Sequence, residues 1–174
     1  MATEDLTIRM NEISASIVSQ RRFLTEAQCA ALIAYTVETL PERAVHGPNT
    51  IFSGRYIDKP PHPVAEAAAK RAATLVGLAF ETKLALETFQ LVVWPEGSEQ
   101  AVHIDKRRPL TTHAAIAYLN DDFEGGQTYF PDIEEQKQPE RGTLIAFPGR
   151  ALPHGVRRID RGTRYTMALW FVPG

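Results

Sequence analysis

The sequence predicts a mainly β domain buttressed by helices, its strands wound into a double-stranded β-helix, or jelly roll. Two observations carry this. Helical spacing is confined to the first half, and from Leu84 the period becomes strand-like almost to the end. Three apolar runs also deliver polar groups: Leu91-Val92-Val93-Trp94 ahead of His103, Leu144-Ile145-Ala146-Phe147 ahead of His154, and the run that Arg164 opens. Buried strands that each bring a polar group to a shared mouth describe the open end of a barrel or double-sheet roll.

Taken in order, residues 5–20 alternate loosely through Leu6, Ile8, Met10, Ile13 and Ile17-Val18, which predicts a strand or two. Thr25 with Gln28 three positions on reads as a capping box. The helix it opens runs to about Leu40, where Pro41 stops it, and its stripe of Ala27, Ala30-Ala31, Ile33-Ala34 and Val37 has helical spacing. Ile51 to Ile57 reads as a strand, and Lys59-Pro60-Pro61-His62-Pro63 as a stiff loop of polyproline character. An alanine-rich helix follows from about Val64 to Phe80. Beyond Leu84, the segment Asn120 to Gly126 turns between two strands, its glycines supplying positive φ, and Pro139-Glu140-Arg141-Gly142 makes another turn.

With 174 residues and 44% hydrophobic content, the chain suits one domain over 1–174, with a buttress over about 1–83 and a jelly-roll core over about 84–174. A net charge of −2 with interspersed signs lacks the basic stripe that phosphate backbones require, so nucleic acid is disfavoured. No run approaches membrane-spanning length, and no membrane role is expected. The acidic start Met1-Ala2-Thr3-Glu4-Asp5 does not read as a signal peptide. Cys29 has no second cysteine to pair with and reads as a buried thiol on an apolar helix face. A reducing cytoplasmic setting is the expectation.

The chemistry centres on His103-Ile104-Asp105. Alternate side chains of a strand share a face, so a strand here aims an imidazole and a carboxylate at one point. His154, from a separate strand, would complete two nitrogens and one oxygen on one face of a metal. That set leaves other positions open and suits non-haem Fe(II) chemistry with oxygen. Alone, His-x-Asp is also what a solvated strand end with an ion pair looks like. His46 and His62 lie in proline- and glycine-containing loops and read as surface residues. His113 has the parity of Ala115, opposite to Tyr118, and reads as facing away from the metal. Arg164, embedded in an apolar strand, needs an anion, because buried charge must be paired. That anion is either an acidic side chain or a bound carboxylate, which a guanidinium grips bidentately.

Six motifs occur in order: His103-x-Asp105; Tyr118-Leu119-Asn120; Gly125-Gly126-Gln127-Thr128-Tyr129-Phe130-Pro131; Phe147-Pro148; Pro153-His154; and Arg164-Tyr165 followed by Trp170. Together, over roughly residues 88–172, they resemble the catalytic core of the prolyl 4-hydroxylase-like branch of the Fe(II)/2-oxoglutarate dioxygenases, whose jelly roll is cupin-like. Phe23-Leu24-Thr25-Glu26 is a looser echo. The resemblance implies that His103, Asp105 and His154 bind Fe(II) and that Arg164 binds the distal carboxylate of 2-oxoglutarate. It further implies that Tyr118 and Thr128 donate hydroxyls to that carboxylate or line its pocket, with Ile116, Val156 and Trp170 as apolar walls.

Two positions depart from the pattern. Trp94 stands where many members carry a tyrosine that donates to the 2-oxo acid; an indole N–H donates one bond but cannot accept. Thr111 stands where many carry an arginine that helps hold a peptide, and Arg107 and Arg108 lie instead just after Asp105. The implied activity is hydroxylation of an unactivated C–H bond using O2, with 2-oxoglutarate leaving as succinate and CO2 and ascorbate as a candidate reductant. The expected substrate is a small amino-acid-like, prolyl or short-peptide molecule, its carboxylate held by Arg107 or Arg108. The alternatives are a peptidyl-prolyl hydroxylase acting on a protein, and a catalytically inactive binding module of the same fold. A cupin-like metal enzyme without 2-oxoglutarate would have no need of Arg164.

Overall fold

The computed structural model describes residues 17–39, 55–106 and 109–174. Expectations for residues 5–16, His46, residues 51–54, Arg107 and Arg108 lie outside the described residues. In chain order the elements are β1 (Val18–Gln20), α1 (Glu26–Thr39), β2 (Arg55–Asp58), α2 (Pro63–Ala79), β3 (Leu84–Trp94), β4 (Gln100–His103), β5 (His113–Tyr118) and β6 (Glu124–Gly125). Then come β7 (Thr128–Phe130), a 3-10 turn (Pro131–Ile133), β8 (Glu135–Lys137), β9 (Leu144–Phe147), β10 (His154–Val156), β11 (Ile159–Arg161) and β12 (Arg164–Pro173).

The capping box starts α1. The Gln28 N–H donates to Thr25 Oγ1 at 3.2 Å, and the Thr25 N–H donates to Gln28 Oε1 at 3.0 Å, satisfying two otherwise orphaned donors. Helix α2 opens on Pro63, whose missing N–H costs nothing in a first turn. His62, expected as a surface loop residue, is instead the half-buried cap of α2. Its Nδ1 accepts from the Val64 N–H at 3.3 Å, and its ring stands 5.1 Å from that of Tyr35. A histidine with one ring nitrogen unprotonated serves where Asp or Ser would be sought in a sequence.

The larger sheet has the order β1-β9-β5-β12-β3-β2, the smaller β4-β10-β7-β8, and β11 pairs with β6. All the registered pairs are antiparallel. Both helices cover one face of the larger sheet. There Leu32, Ala68, Ala72 and Val76 meet Phe89, Leu91, Ala117, Leu144, Met167, Leu169 and Phe171, all buried. The alanines of α2 bring that helix close to the sheet, and each buried large side chain contributes about 1.5–3 kcal/mol. The opposite face meets the smaller sheet, with Tyr118, Ile145 and Phe147 against Phe130, and Val92 and Trp94 against Val156.

The two-residue period of β12 sorts its side chains accordingly. Tyr165, Met167, Leu169 and Phe171 pack in the helix-side core, while Ala168 and Trp170 pack between the sheets with Arg164 and Thr166 in their register. One extra residue, Glu87, bulges β3 between Leu86 and Thr88, which pair with Phe171 and Trp170. Thr111 is fully buried and donates to Glu87 Oε2 at 2.5 Å. No helix among the described residues is long and apolar enough to cross a membrane.

Candidate metal centre

His103 is the last residue of β4 and pairs directly with His154, the first of β10, which brings their rings to 4.4 Å. Asp105 corrects an expectation. The strand ends at His103, and Asp105 lies in the loop beyond it, so the pleat of one strand does not aim both groups. A backbone bond does so instead: the Asp105 N–H donates to the Gly149 carbonyl at 2.9 Å. Gly149 also leaves room for the carboxylate, since a Cβ there would collide with Asp105 Oδ2 and crowd Ala114.

The donor atoms of His103, Asp105 and His154 lie within 4.8 Å of one another. His103 Nε2 stands 3.9 Å from Asp105 Oδ1, and His154 Nε2 stands 3.6 Å from Oδ2. Both Nδ1 atoms face backbone carbonyls, Ala101 and Leu152, each at 2.9 Å. A carbonyl only accepts, so each Nδ1 carries the hydrogen and each Nε2 presents a lone pair. Burial holds the His154 pKa below its ordinary value; Asp105 opposes that shift and His103 adds to it. Two bare nitrogens therefore face a carboxylate whose Oδ2 is buried without a hydrogen-bond donor. Acceptors turned on acceptors are unfavourable until a cation sits among them. Two nitrogens and one oxygen on one side, with the rest open, is the donor set that fits Fe(II).

Arg164 is 1% exposed. It donates to Thr128 Oγ1 at 3.3 Å, and Thr128 in turn bonds the Tyr118 hydroxyl at 2.8 Å. Its guanidinium carbon lies 5.1 Å from the Trp94 ring centre and 5.4 Å from that of Tyr118. Burial pushes its pKa down to about 10, so it stays charged at neutral pH. Burial likewise raises the Tyr118 pKa and keeps the phenol neutral. Among the described residues no carboxylate pairs with Arg164, and its Nε has no hydrogen-bond partner. A buried cation without a counter-charge is costly, and a ligand carboxylate is the complement it lacks. Of the two anions the sequence allowed, the acidic side chain is not found among the described residues.

Trp94 spends its one donor within the protein. Its indole N–H donates to Thr166 Oγ1 at 3.2 Å, while its ring supports Arg164. Ile116 and Trp170 lie half-buried and Val156 buried between the sheets. His113 turns its ring to Phe80 at 4.7 Å, on the helix side and away from the metal cluster, as its parity predicts. Three contributors escaped sequence reading. Gly149 follows the Phe147-Pro148 motif and carries no signal of its own. Thr166 carries no signal until the pairing of β3 with β12 is known. Asn120 was present in a motif but without a role; its side chain donates to the Thr163 carbonyl at 2.8 Å and accepts from the Tyr165 N–H at 2.8 Å, pinning the backbone on both sides of Arg164.

Residues 89–172 match the family model of the 2OG-Fe(II) oxygenase superfamily. That segment, just under half of the chain, is similar to a 2OG-Fe(II) oxygenase domain, and Fe(II), 2-oxoglutarate and O2 are the metal, co-substrate and oxidant of the superfamily. Over 65 residues the chain is 42% identical to prolyl 3-hydroxylase 1 of Homo sapiens, a stretch that is 34% of this chain and 9% of that protein. The chain thus spans about 9% of the length of the curated relatives it matches. A prolyl-4-hydroxylase of Pseudomonas putida superposes with a TM-score of 0.70 at 21% identity, covering 97% of this chain and 99% of that one. SnoN, a non-heme alpha-ketoglutarate-dependent epimerase of nogalamycin biosynthesis, gives a TM-score of 0.75 at 14% identity over 98% and 84% of the two chains. These likenesses establish the fold, the jelly roll expected, and not the reaction.

Proposed function

We propose that this chain is an Fe(II)- and 2-oxoglutarate-dependent hydroxylase of a small amino-acid-like, prolyl or short-peptide substrate. The observation that carries it is Arg164, a buried cation lacking a carboxylate among the described residues, on the face of the larger sheet that meets the sheet bearing the two histidines of a complete metal triad. Bound Fe(II), with 2-oxoglutarate and O2, supplies the oxidising power to hydroxylate an unactivated C–H bond, with succinate and CO2 as co-products. The chain supplies the rest. His103 and His154 offer bare Nε2 atoms, and Asp105 offsets one unit of the metal's charge. Arg164 grips the distal carboxylate of 2-oxoglutarate, with Thr128 and Tyr118 as a hydroxyl relay beside it. Phe147, whose ring lies 4.5 Å from that of His154, helps exclude water beneath the metal.

The rival reading is a peptidyl-prolyl hydroxylase acting on a protein, which the names of the curated relatives favour. Thr111 weighs against it: fully buried and committed to Glu87, it makes no clamp for a long peptide. The test is a screen of succinate formation by the iron-loaded protein against free amino acids, short prolyl peptides and a long proline-rich polypeptide. Stimulation by the small molecules is expected. Stimulation by the polypeptide alone would transfer the assignment to the rival.

A further inference from the structure

The larger sheet lays its inter-sheet side chains out in rows that registration makes readable. One row runs Thr88, Trp170, Ala114, Phe147 across β3, β12, β5 and β9. The next runs Asp58, Gln90, Ala168, Ile116, Ile145 across β2, β3, β12, β5 and β9. The metal cluster lies at the β5–β9 end of the first row, because Gly149 wedges between Asp105 and Ala114 while Phe147 packs against His154. Arg164 lies on the same face three rows further along β12, opposite Trp94.

The β2–β3 end of the same two rows is unassigned, and it is polar where a jelly-roll wall is ordinarily apolar. Gln90 is 5% exposed and donates its amide Nε2 to Asp58 Oδ1 at 3.2 Å, which leaves the amide oxygen to accept. Asp58 is exposed at the rim of the edge strand. Thr88 is 7% exposed, and its hydroxyl is buried with no hydrogen-bond partner. An orphaned hydroxyl of this kind costs stability that a valine of the same shape would not. Ala168, directly beside Gln90, adds only a methyl group to this part of the row. Thr88 stands two strands from Ala114, roughly 10 Å from the metal end of its row, the reach of a small substrate.

We infer that Asp58, Gln90 and Thr88 form a substrate-specificity wall that receives a protonated amine, so that the substrate class is a free amino acid or a compound with an unacylated amine. The three side chains offer a carboxylate, an amide oxygen left to accept, and a hydroxyl, and none of the three is a cation. Acceptors with one negative charge complement an ammonium or a protonated ring amine and repel a carboxylate. This inference rests on the hydroxylase reading above and narrows its substrate.

The test compares L-proline with tetrahydrofuran-2-carboxylate, in which a ring oxygen replaces the nitrogen at constant shape, as stimulants of succinate formation by the iron-loaded protein. The expected wild-type preference for the amine is about tenfold or more in kcat/KM, carried by KM. Asp58→Asn and Gln90→Leu should reduce it to about threefold or less, and Thr88→Val should reduce it while raising the melting temperature. Asp58 is exposed, so its variant tests the idea without endangering the fold. An unchanged preference in Asp58→Asn and Gln90→Leu would overturn the wall, as would a wild type that ignores the amine. If neither ring compound acts but prolyl peptides lacking a free amine do, the wall falls and the hydroxylase stands. If no compound of any kind stimulates succinate formation, both fall.

Discussion

The guanidinium of Arg164 stands 5.1 Å from the centre of the Trp94 ring, directly across the β3–β12 pair. The ring supports the cation without neutralising it, and the charge remains for a ligand. Arg164→Ala should cost about 1.5–3 kcal/mol of 2-oxoglutarate binding, roughly ten- to hundredfold in affinity. Arg164→Lys should be milder, since the charge survives and the fork is lost. Calorimetric titration with 2-oxoglutarate measures both, and an unaltered affinity in the alanine variant would revive the cupin-like reading.

Metal affinity should collapse in His103→Ala, Asp105→Ala and His154→Ala while the fold persists. Metal-free, these groups repel or stand unpaired, so the apo melting temperature should hold or rise. Iron titration alongside thermal melts separates the two effects. Equal iron affinity in all three variants and the wild type would remove them as ligands.

Gly149→Ala places a methyl group where Asp105 Oδ2 and Ala114 already stand. Overpacking of this kind costs about 1–3 kcal/mol, and displacing the carboxylate should lower iron affinity by about tenfold or more. Wild-type iron affinity in that variant would mean that the loop carrying Asp105 relocates freely.

Burial against Phe80 holds the His113 pKa below its ordinary 6.5. The unfolded chain therefore takes up a proton near that value before the folded one does. Stability contributed by neutral His113 is present above pH 6.5, falls as pH drops below it, and levels off once the folded form also protonates. His113→Gln should lose less of its melting temperature than the wild type between about pH 7.5 and 5.5. Identical pH profiles would disprove the linkage.

The parts legible in the sequence are those written in local periodicity. The capping box of Thr25 and Gln28, the alanine-rich second helix and the strand onset at Leu84 depend on neighbours a few residues away. The meeting of His103 with His154 was legible because each closes or opens a recognisable strand. What aims Asp105 was not, since a backbone bond to Gly149 spans 44 positions of chain that no spacing rule connects. The Trp94–Thr166 bond was hidden for the same reason, as it exists only once two strands are in register. His62 misled because imidazole is a rare helix cap.

Asn120 grips the backbone on either side of Arg164, at the Thr163 carbonyl and the Tyr165 N–H. The anchor's position is thus fixed by main chain and by a side chain from the loop after β5, independently of whatever occupies the pocket. The arginine meets an incoming anion already in place, and little freedom is lost at the encounter. Exchange at residue 164 alters only the strength of the grip. Exchange at residue 120 would leave the cation to be ordered at each encounter, slowing capture and weakening the grip by the cost of that ordering.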